Sequence, residues 1–256
     1  MFTLLLAKRN YLRRIMRYLM MVTYDGKLYS GFQKQKSTNK TIQFELEKAI
    51  ETITKQQVEC VASGRTDAGV SAYHQPVHFD IEIELNETKF LKSINALLPD
   101  EIKVLSVKPT NIHARFSAKK KTYIYKMHIS PLKLPLETDK LTISPDYNFN
   151  DMQKFCALIK GTHDFGGFKA SGGQTENDVR TIYSAKLIKK GNDLTFVVTG
   201  NGFLYKMVRN LVGTMLKIGE GKLSLTELKT TIFKTFKSTY TAKSEYLYLY
   251  DVKYSC

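Results

Sequence analysis

The chain has 256 residues, of which 43% are hydrophobic, so it can bury a sizeable core and is not a disordered polypeptide. Its 39 Lys and Arg residues outnumber its 24 Asp and Glu residues, which gives a net charge of +15. This charge favours a polyanionic partner, nucleic acid first, although a basic solvated surface has the same composition. The length suits one large domain or two of about 100 to 150 residues.

Motifs that the sequence lacks exclude several functional classes. Cys60, Cys156 and Cys256 are widely spaced and odd in number, which argues for a reducing compartment and against disulfides or a zinc site. No apolar run reaches the roughly 18 residues that cross a membrane, and no phosphate-loop or dinucleotide motif occurs. We therefore expect a cytoplasmic protein without a metal or a cofactor. Residues 1–15 are interpreted as a short extension, with the folded part opening near Met16.

In chain order, the first half alternates strands and helices. Residues 17–26 are apolar and β-prone and end in a turn dipeptide. Residues 41–54 have apolar positions at helical spacing, with Thr41 near the cap. Further strands are predicted over 57–64, 75–85 and 102–110, and a second helix over 88–100. This is the order of a split βαβ, ferredoxin-like unit on an antiparallel sheet, and it defines a first domain over residues 16–112.

The second half, residues 113–256, has the same mixture of elements. The predicted elements are a strand over 121–130, a helix within 146–165, a hairpin over 180–202 that turns at Gly191-Asn192-Asp193, helices over 204–222 and 224–236, and a last strand over 245–256. The predicted fold class is therefore α+β. Each of the two domains carries a mainly antiparallel sheet flanked by helices, in a ferredoxin-like or RRM-like order.

The stretch SGRTDAGV, residues 63–70, places one carboxylate, Asp67, between an arginine and two glycines. Glycine permits backbone angles that are closed to other residues and lets a ligand approach the main chain. Arg65 can pin a carboxylate or stack on a planar base. The alternative is a plain turn in which Asp67 bonds to its own backbone.

Two further stretches can carry chemistry. In RFSAKKKTYIYK, residues 115–126, three lysines precede Tyr123 and Tyr125, a pattern that suits either a nucleic-acid groove with a stacking platform or a lysine-protected edge strand. In GNGFLYKMVRNLVG, residues 200–213, Arg209 lies among apolar residues. It needs an acidic partner if it is buried, and otherwise extends to the surface.

These motifs belong to a longer series that runs along the chain. The series comprises YDGKLYSGFQKQ (24–35), TIQFELEKAI (41–50), GRTDAGV (64–70), INALLPDEIKV (94–104), ARFSAKKKTYIY (114–125), GTHDFGGF (161–168), VRTI (179–182), GFLYKMVRNLVG (202–213) and YLYLYDVKY (246–254). In this order, from about Met16 to Tyr254, the chain resembles the TruA-type family of tRNA pseudouridine synthases.

The resemblance implies an activity and partners. Members of the family isomerise uridine to pseudouridine in the anticodon arm of tRNA, at positions 38 to 40, without a cofactor or metal. They are homodimers, and the active site lies in a basic cleft between the two domains. The target base must be flipped out of the RNA, and binding through phosphates should weaken with salt.

The resemblance also implies roles for individual residues. Asp67 is the essential carboxylate, Tyr123 stacks on the uracil ring and helps to remove the C5 proton, and Arg209 orients Asp67 and favours its charged form. Arg65 fills the space that the flipped base leaves. The other expected substrate-binding residues are Gly64, Thr66, Leu247, Lys119, Lys120 and Lys121.

Five residues differ from those usual in the family, namely Ser71, His74, Pro76, Lys243 and Tyr246. They leave two alternatives open beside a tRNA pseudouridine synthase. One is a pseudouridine synthase for another RNA, and the other is an RNA-binding protein without catalysis on the same fold.

Overall fold

The structure is a computed structural model that describes residues 15–133, 135, 138–173 and 175–255. Its strands are β1 Met16–Tyr24, β2 Val61–Ala62, β3 Ser71–Ile81, β4 Ile102–Pro109, β5 Lys120–Ile129, β6 Leu141–Ile143, β7 Gly161–Asp164, β8 Val179–Lys190, β9 Asp193–Gly200 and β10 Leu247–Lys253. Its α-helices are α1 Ile42–Thr54, α2 Glu87–Leu97, α3 Phe149–Leu158, α4 Met207–Gly219 and α5 Leu225–Thr231. The predicted extension, residues 1–15, lies outside the described residues apart from Ile15.

The first half folds in the predicted strand and helix order. Its strands lie side by side as β4-β1-β3, and the short β2 also pairs with β3. Helix α1 begins at Ile42 because the Thr41 side chain accepts a hydrogen bond from the Phe44 amide. Leu46 and Ile50 follow Ile42 at helical spacing, and all three are buried in the apolar core. The predicted cap and the apolar face of this helix are thus confirmed.

The second half repeats the strand order of the first. Strands β10-β5-β9-β8 lie side by side, with β7 beyond β8 and β6 paired to β5. The β8–β9 hairpin turns at Gly191, whose φ of 60° suits glycine, so the predicted turn is confirmed. Helix α4 is buried along most of its length. The two halves are therefore related in topology, although no repeat is visible in the sequence.

Strand β10 joins the halves into one sheet, which has ten strands within the described residues. It runs parallel to β3, where Tyr248 pairs with Ser71 and Leu249 with Ala72, and antiparallel to β5. The sheet is antiparallel except at this pair and at β5–β6, so the α+β class with a mainly antiparallel sheet is confirmed. The loop before β3 consequently lies beside the start of β10, where Leu247 pairs with Tyr125 in the middle of β5.

Two predicted strands have other bounds in the structure. The strand expected over 57–64 pairs only as β2, because the Cys60 amide donates a 2.9 Å hydrogen bond to the Glu47 carboxylate instead of to a strand. Strand β3 begins at Ser71 rather than at Gln75, since its first residues pair with β10 from the far end of the chain.

The helix predicted over 224–236 is also shorter than expected. It ends at Thr231 because the amides of Lys234 and Phe236 both turn back to the Thr231 carbonyl, at 2.9 and 3.0 Å. Strands β6 and β7 were not predicted, since three and four residues are too few to show a periodic pattern.

Close packing of α4 gives a test of the fold. A Cβ at Gly213 would lie 2.1 Å from the Tyr240 carbonyl oxygen, so Gly213→Ala should destabilise the protein by about 1–3 kcal/mol although alanine favours helices. Calorimetry should show a lower melting temperature than wild type. Gly202→Ala is the control, because the nearest atom to its Cβ would be 3.7 Å away. A Gly213→Ala protein that melts at or above the wild-type temperature would contradict this packing.

Candidate active site

A cleft of about 1070 Å³ opens beside the loop that precedes β3. The predicted site residues that line it are Gly64, Arg65, Thr66, Asp67, Lys121, Tyr123, Arg209 and Leu247. The structure thus brings together all of the predicted site residues except two. Lys119 and Lys120 are not among the lining residues.

The Asp67 carboxylate is paired with Arg209 across the two halves of the chain. Asp67 Oδ2 accepts a hydrogen bond from Arg209 Nη1 at 3.0 Å, and the side chains are 19% and 15% exposed. Arg209 Nε also donates to the Ala242 carbonyl at 2.8 Å, so two contacts fix the plane of the guanidinium. This partly buried pair leaves one face of Asp67 towards the cleft, and it explains why an arginine stands among the apolar residues of α4.

Buried polar side chains hold the loop from beneath. Gln75 is fully buried; it accepts a hydrogen bond from the Ser63 hydroxyl at 2.6 Å and donates to the Gly64 carbonyl at 2.8 Å. The Tyr24 hydroxyl bonds to Thr66 Oγ1 at 2.8 Å, and burial raises the pKa of Tyr24 to about 12. These groups are all neutral at physiological pH, so their contacts with the loop add no charge that would compete for Asp67 or Arg209.

The two glycines of the loop serve different purposes. Gly69 has a φ of 80°, a left-handed conformation that the sequence interpretation expected. Gly64 has no such angle; a Cβ there would lie 3.3 Å from Lys121 Nζ, so the glycine makes room for the lysine. The expectation of an unusual backbone angle therefore holds for Gly69 and is wrong for Gly64.

Lys121 supports the loop instead of standing on an open surface. Its ammonium donates to the Ser63 carbonyl at 2.6 Å. Burial, with a smaller contribution from the positive charges of Arg115 and Arg180, lowers the pKa of Lys121 to about 8.

The other two lysines of this run lie elsewhere. Lys119 is exposed, and Lys120 places its ammonium 5.5 Å from the centre of the Tyr183 ring. Because neighbouring residues of a strand point to opposite faces, Lys120 and Lys121 lie on different sides of the sheet.

Tyr123 and Tyr125 share a face of β5, as predicted, but have different surroundings. Tyr123 lines the cleft, and its ring meets Phe203 edge-on at 5.3 Å. Burial, then the charges of Tyr24 and Asp67, raise the pKa of Tyr123 far above its usual range, so its hydroxyl is neutral. Tyr125 is fully buried against Tyr246. The interpretation of Tyr125 as part of a stacking platform is therefore wrong.

Leu247 lines the cleft from β10, the strand that joins the two halves of the sheet. It is the first residue of β10, is buried, and pairs with Tyr125 on β5. Its apolar side chain provides a wall opposite the polar loop.

The charges around the cleft are strongly biased. Among the described residues that line it, Asp67 is the one acid, whereas the cations are Lys34, Arg65, Arg115, Lys121, Lys206 and Arg209. No group of three or more His, Cys, Asp or Glu side chains suited to a metal ion occurs in the described part of the chain. Within the same residues, no helix has the length and apolar character to span a bilayer.

Comparison with known proteins assigns the chain. A family model described as tRNA pseudouridine synthase matches residues 20–117 and 155–255, more than half of the sequence. The chain belongs to this family. Asp67 and Arg209 lie within the matched ranges, whereas Tyr123 and the lysines of residues 119–121 lie between them.

Full-length relatives agree with the family match. The tRNA pseudouridine synthase A of Anoxybacillus flavithermus is 40% identical over 238 residues, 91% of this chain and 96% of its own. That of Streptococcus equi subsp. equi is 40% identical over 248 residues, 93% of this chain and 98% of its own. Among solved structures, a chain of a Cbf5-Nop10-Gar1 complex matches 78% of this family member and 45% of itself at a TM-score of 0.35 and 15% identity, a likeness too distant to bear on the assignment.

The sequence analysis did not identify the residues of this protein that support the loop or complete the lining of the cleft. Gln75 carried a signal, because it is a polar residue on the same face of the alternating strand as the apolar Val77 and Phe79. Phe203 and Lys34 also line the cleft, but both come from loops, where the pattern of the sequence does not show which way a side chain points.

The buried ammonium of Lys121 predicts a pH-dependent stability. Its pKa is about 8 when folded and about 10.5 when unfolded, so between these values the unfolded state binds more protons and the stability of wild type rises with pH. Lys121→Met lacks this group. The free energy of unfolding of wild type minus that of Lys121→Met should therefore increase from about pH 8 to about pH 10 in urea titrations.

The exposed Lys48 of α1 provides the matched control. The difference between wild type and Lys48→Met should stay constant over the same pH range, because the Lys48 side chain is in water in both the folded and the unfolded protein. Equal behaviour of the two variants would show that Lys121 is not buried as a cation.

Proposed function

We propose that this protein isomerises uridine to pseudouridine in tRNA. The observation that carries the proposal is the Asp67 carboxylate, held at 3.0 Å by Arg209 at the side of a cleft of about 1070 Å³. The cleft is large enough for a flipped nucleotide, and its excess of cations suits the phosphates around it. Membership of the tRNA pseudouridine synthase family supports the same activity.

The reaction is an internal rearrangement in which Asp67 is the catalytic carboxylate. The N1–C1′ bond breaks, the uracil turns, and C5 forms the new bond to C1′. The proton on C5 leaves and N1 gains a proton, so atoms and electrons balance within the substrate. Arg209 orients Asp67, and an orientation fixed before the substrate arrives lowers the cost of reaching the transition state.

The other predicted residues bind the substrate. The neutral ring of Tyr123 stacks on the uracil. Its hydroxyl helps to remove the proton from C5. Arg65, which is exposed at the cleft, fills the gap left by the flipped base. Gly64 and Thr66 present their backbone to the nucleotide, while Leu247 packs against the uracil from the apolar side.

The finer points of the proposal follow from the family resemblance. The substrate is the anticodon arm of tRNA, at positions 38 to 40, and the protein acts in the cytoplasm as a homodimer without a cofactor. Residues 16–112 and 113–256 form two domains that share the continuous sheet, with the cleft between them. Lys119, Lys120 and Lys121 add positive charge at the start of β5.

The residues that depart from the family pattern lie outside the cleft lining. The Ser71 hydroxyl bonds to Asp25 and His74 to the Tyr250 carbonyl, while Tyr246 is buried in the core. Neither they nor Pro76 and Lys243 are among the described residues that line the cleft. No observation therefore favours a different RNA or a loss of catalysis over the proposed reaction.

Release of tritium from tRNA labelled at C5 of uridine tests the reaction and its carboxylate. We expect wild type to release tritium and Asp67→Asn to release none, while tRNA affinity in filter binding stays within about threefold, because the cations provide the binding. Asp80→Asn is the matched control, since Asp80 forms a surface ion pair with Arg17 and should keep full activity.

Two outcomes would count against the proposal. Wild type that binds tRNA but releases no tritium would favour the non-catalytic alternative. Loss of both binding and turnover in Asp67→Asn, with Asp80→Asn unaffected, would mean that Asp67 builds the binding surface instead of acting in catalysis.

Salt dependence tests the role of Lys119 and Lys120 outside the cleft. If each contacts one phosphate, Lys119→Glu with Lys120→Glu should weaken tRNA binding and reduce the slope of log K against log salt by about 1.4 to 1.8. The same double change at Lys89 and Lys92, which are exposed on α2, is the control and should alter the slope less. An unchanged slope in the first variant would place the RNA elsewhere.

A further inference from the structure

Phe116 is an apolar side chain that the fold leaves in solvent. It is 76% exposed, the highest value among the large hydrophobic residues of the described chain. It belongs to the connection between β4 and β5, residues 110–119, next to Arg115, which lines the cleft. Single exposed apolar residues are common on protein surfaces, so the case for a partner at Phe116 rests on how its ring is held and on the charges beside it.

The loop that carries Phe116 is held in one conformation. His113 Nδ1 accepts hydrogen bonds from the amides of Arg115 and Phe116, both at 3.2 Å, and the His113 carbonyl accepts one from the Ser117 amide at 3.0 Å. The Tyr254 hydroxyl donates to the Ala114 carbonyl at 2.9 Å. Hydrogen bonds within residues 113–117, together with the one from Tyr254, therefore fix the loop that carries the exposed ring.

A column of aromatic rings supports Phe116 from one side. Its ring stacks on His113, with centroids 4.3 Å apart and planes 29° apart, and His113 lies 4.5 Å from His78. His78 Nδ1 accepts the Ala114 amide at 3.1 Å. Burial, with the charges of Arg17 and His113, lowers the pKa of His78 to about 4, so this acceptor stays neutral at physiological pH. The column ends at Phe116, whose remaining surface faces water.

The charged residues beside Phe116 indicate what kind of partner binds its ring. Residues 111–126 contain Arg115 and four lysines and no acidic residue, and the Arg115 guanidinium lies 5.7 Å from the centre of the Phe116 ring. If two copies of the chain met through this surface, its five cations would face the same five cations of the other copy. An unpaired nucleotide instead offers a planar base for the ring and a phosphate for the arginine.

We propose that Phe116 is a stacking platform for an unpaired base of the RNA substrate, next to the nucleotide that enters the cleft. Arg115 joins the two places, because it lines the cleft and also lies beside the ring. The rigid support from His113 means that little conformational entropy is lost when the base stacks. This inference rests on the proposed function, since it takes tRNA as the substrate.

Filter binding with unmodified tRNA tests the platform, using the full-length chain. Phe116→Ala and Phe116→Leu should weaken binding about fivefold or more, because both lose the ring, whereas Phe116→Tyr should bind within about twofold of wild type. The increase in KM for tritium release should match the loss in affinity, with kcat at saturating tRNA unchanged. Ile188→Ala is the control, since Ile188 is a large exposed residue on β8 at the other end of the sheet.

The outcomes separate this inference from the proposed function. Wild type that fails to bind tRNA would overturn the proposed function. Wild type and Phe116→Ala that bind tRNA equally well would overturn the platform alone. A change in the sedimentation coefficient of the RNA-free protein on Phe116→Ala would assign the ring to a contact between copies of the chain and would also overturn the platform.

Discussion

The ion pair between Asp67 and Arg209 is the contact on which the cleft depends. Asp67 comes from the loop before β3, and Arg209 comes from the first turn of α4, 142 residues later in the chain. Strand β10 makes the meeting possible, because it hydrogen-bonds to β3 of the first half and to β5 of the second. The position of the carboxylate is therefore set by the junction of the sheet as much as by its own loop.

The groups that support the loop before β3 differ from the residue that pairs with its carboxylate. Neutral groups, Gln75 and Tyr24, bind the loop from below, and the cation of Lys121 bonds to a carbonyl. Arg209 alone is shown in an ion pair with Asp67 within the described residues. This arrangement leaves the carboxylate with a single charged partner, so its orientation is fixed while one face remains available to a substrate.

The elements that depend on local sequence were predictable, whereas those that depend on distant contacts were not. Thr41 and the apolar spacing behind it predict α1, and Gly191 predicts the hairpin. The parallel pairing of β10 with β3 leaves no local signal, since it joins residues about 177 positions apart. The alternation of the strand shows that Tyr123 and Tyr125 share a face. It does not show that Tyr123 contacts Phe203 or that Tyr125 contacts Tyr246, because these partners are distant in sequence. The role of Gly64 follows from Lys121, a partner outside its own motif.

The excess of cations around the cleft explains how RNA can bind next to the negatively charged side chain of Asp67. Six cations and one acid line the cleft among the described residues, so RNA phosphates meet a positive potential before they approach Asp67. Without those cations, the phosphates and the carboxylate would repel each other as like charges. Arg209 offsets that repulsion at the carboxylate itself, and the remaining cations offset it along the cleft. In the proposed function, affinity for the nucleic acid and the orientation of the Asp67 carboxylate are therefore provided by different residues of the same surface.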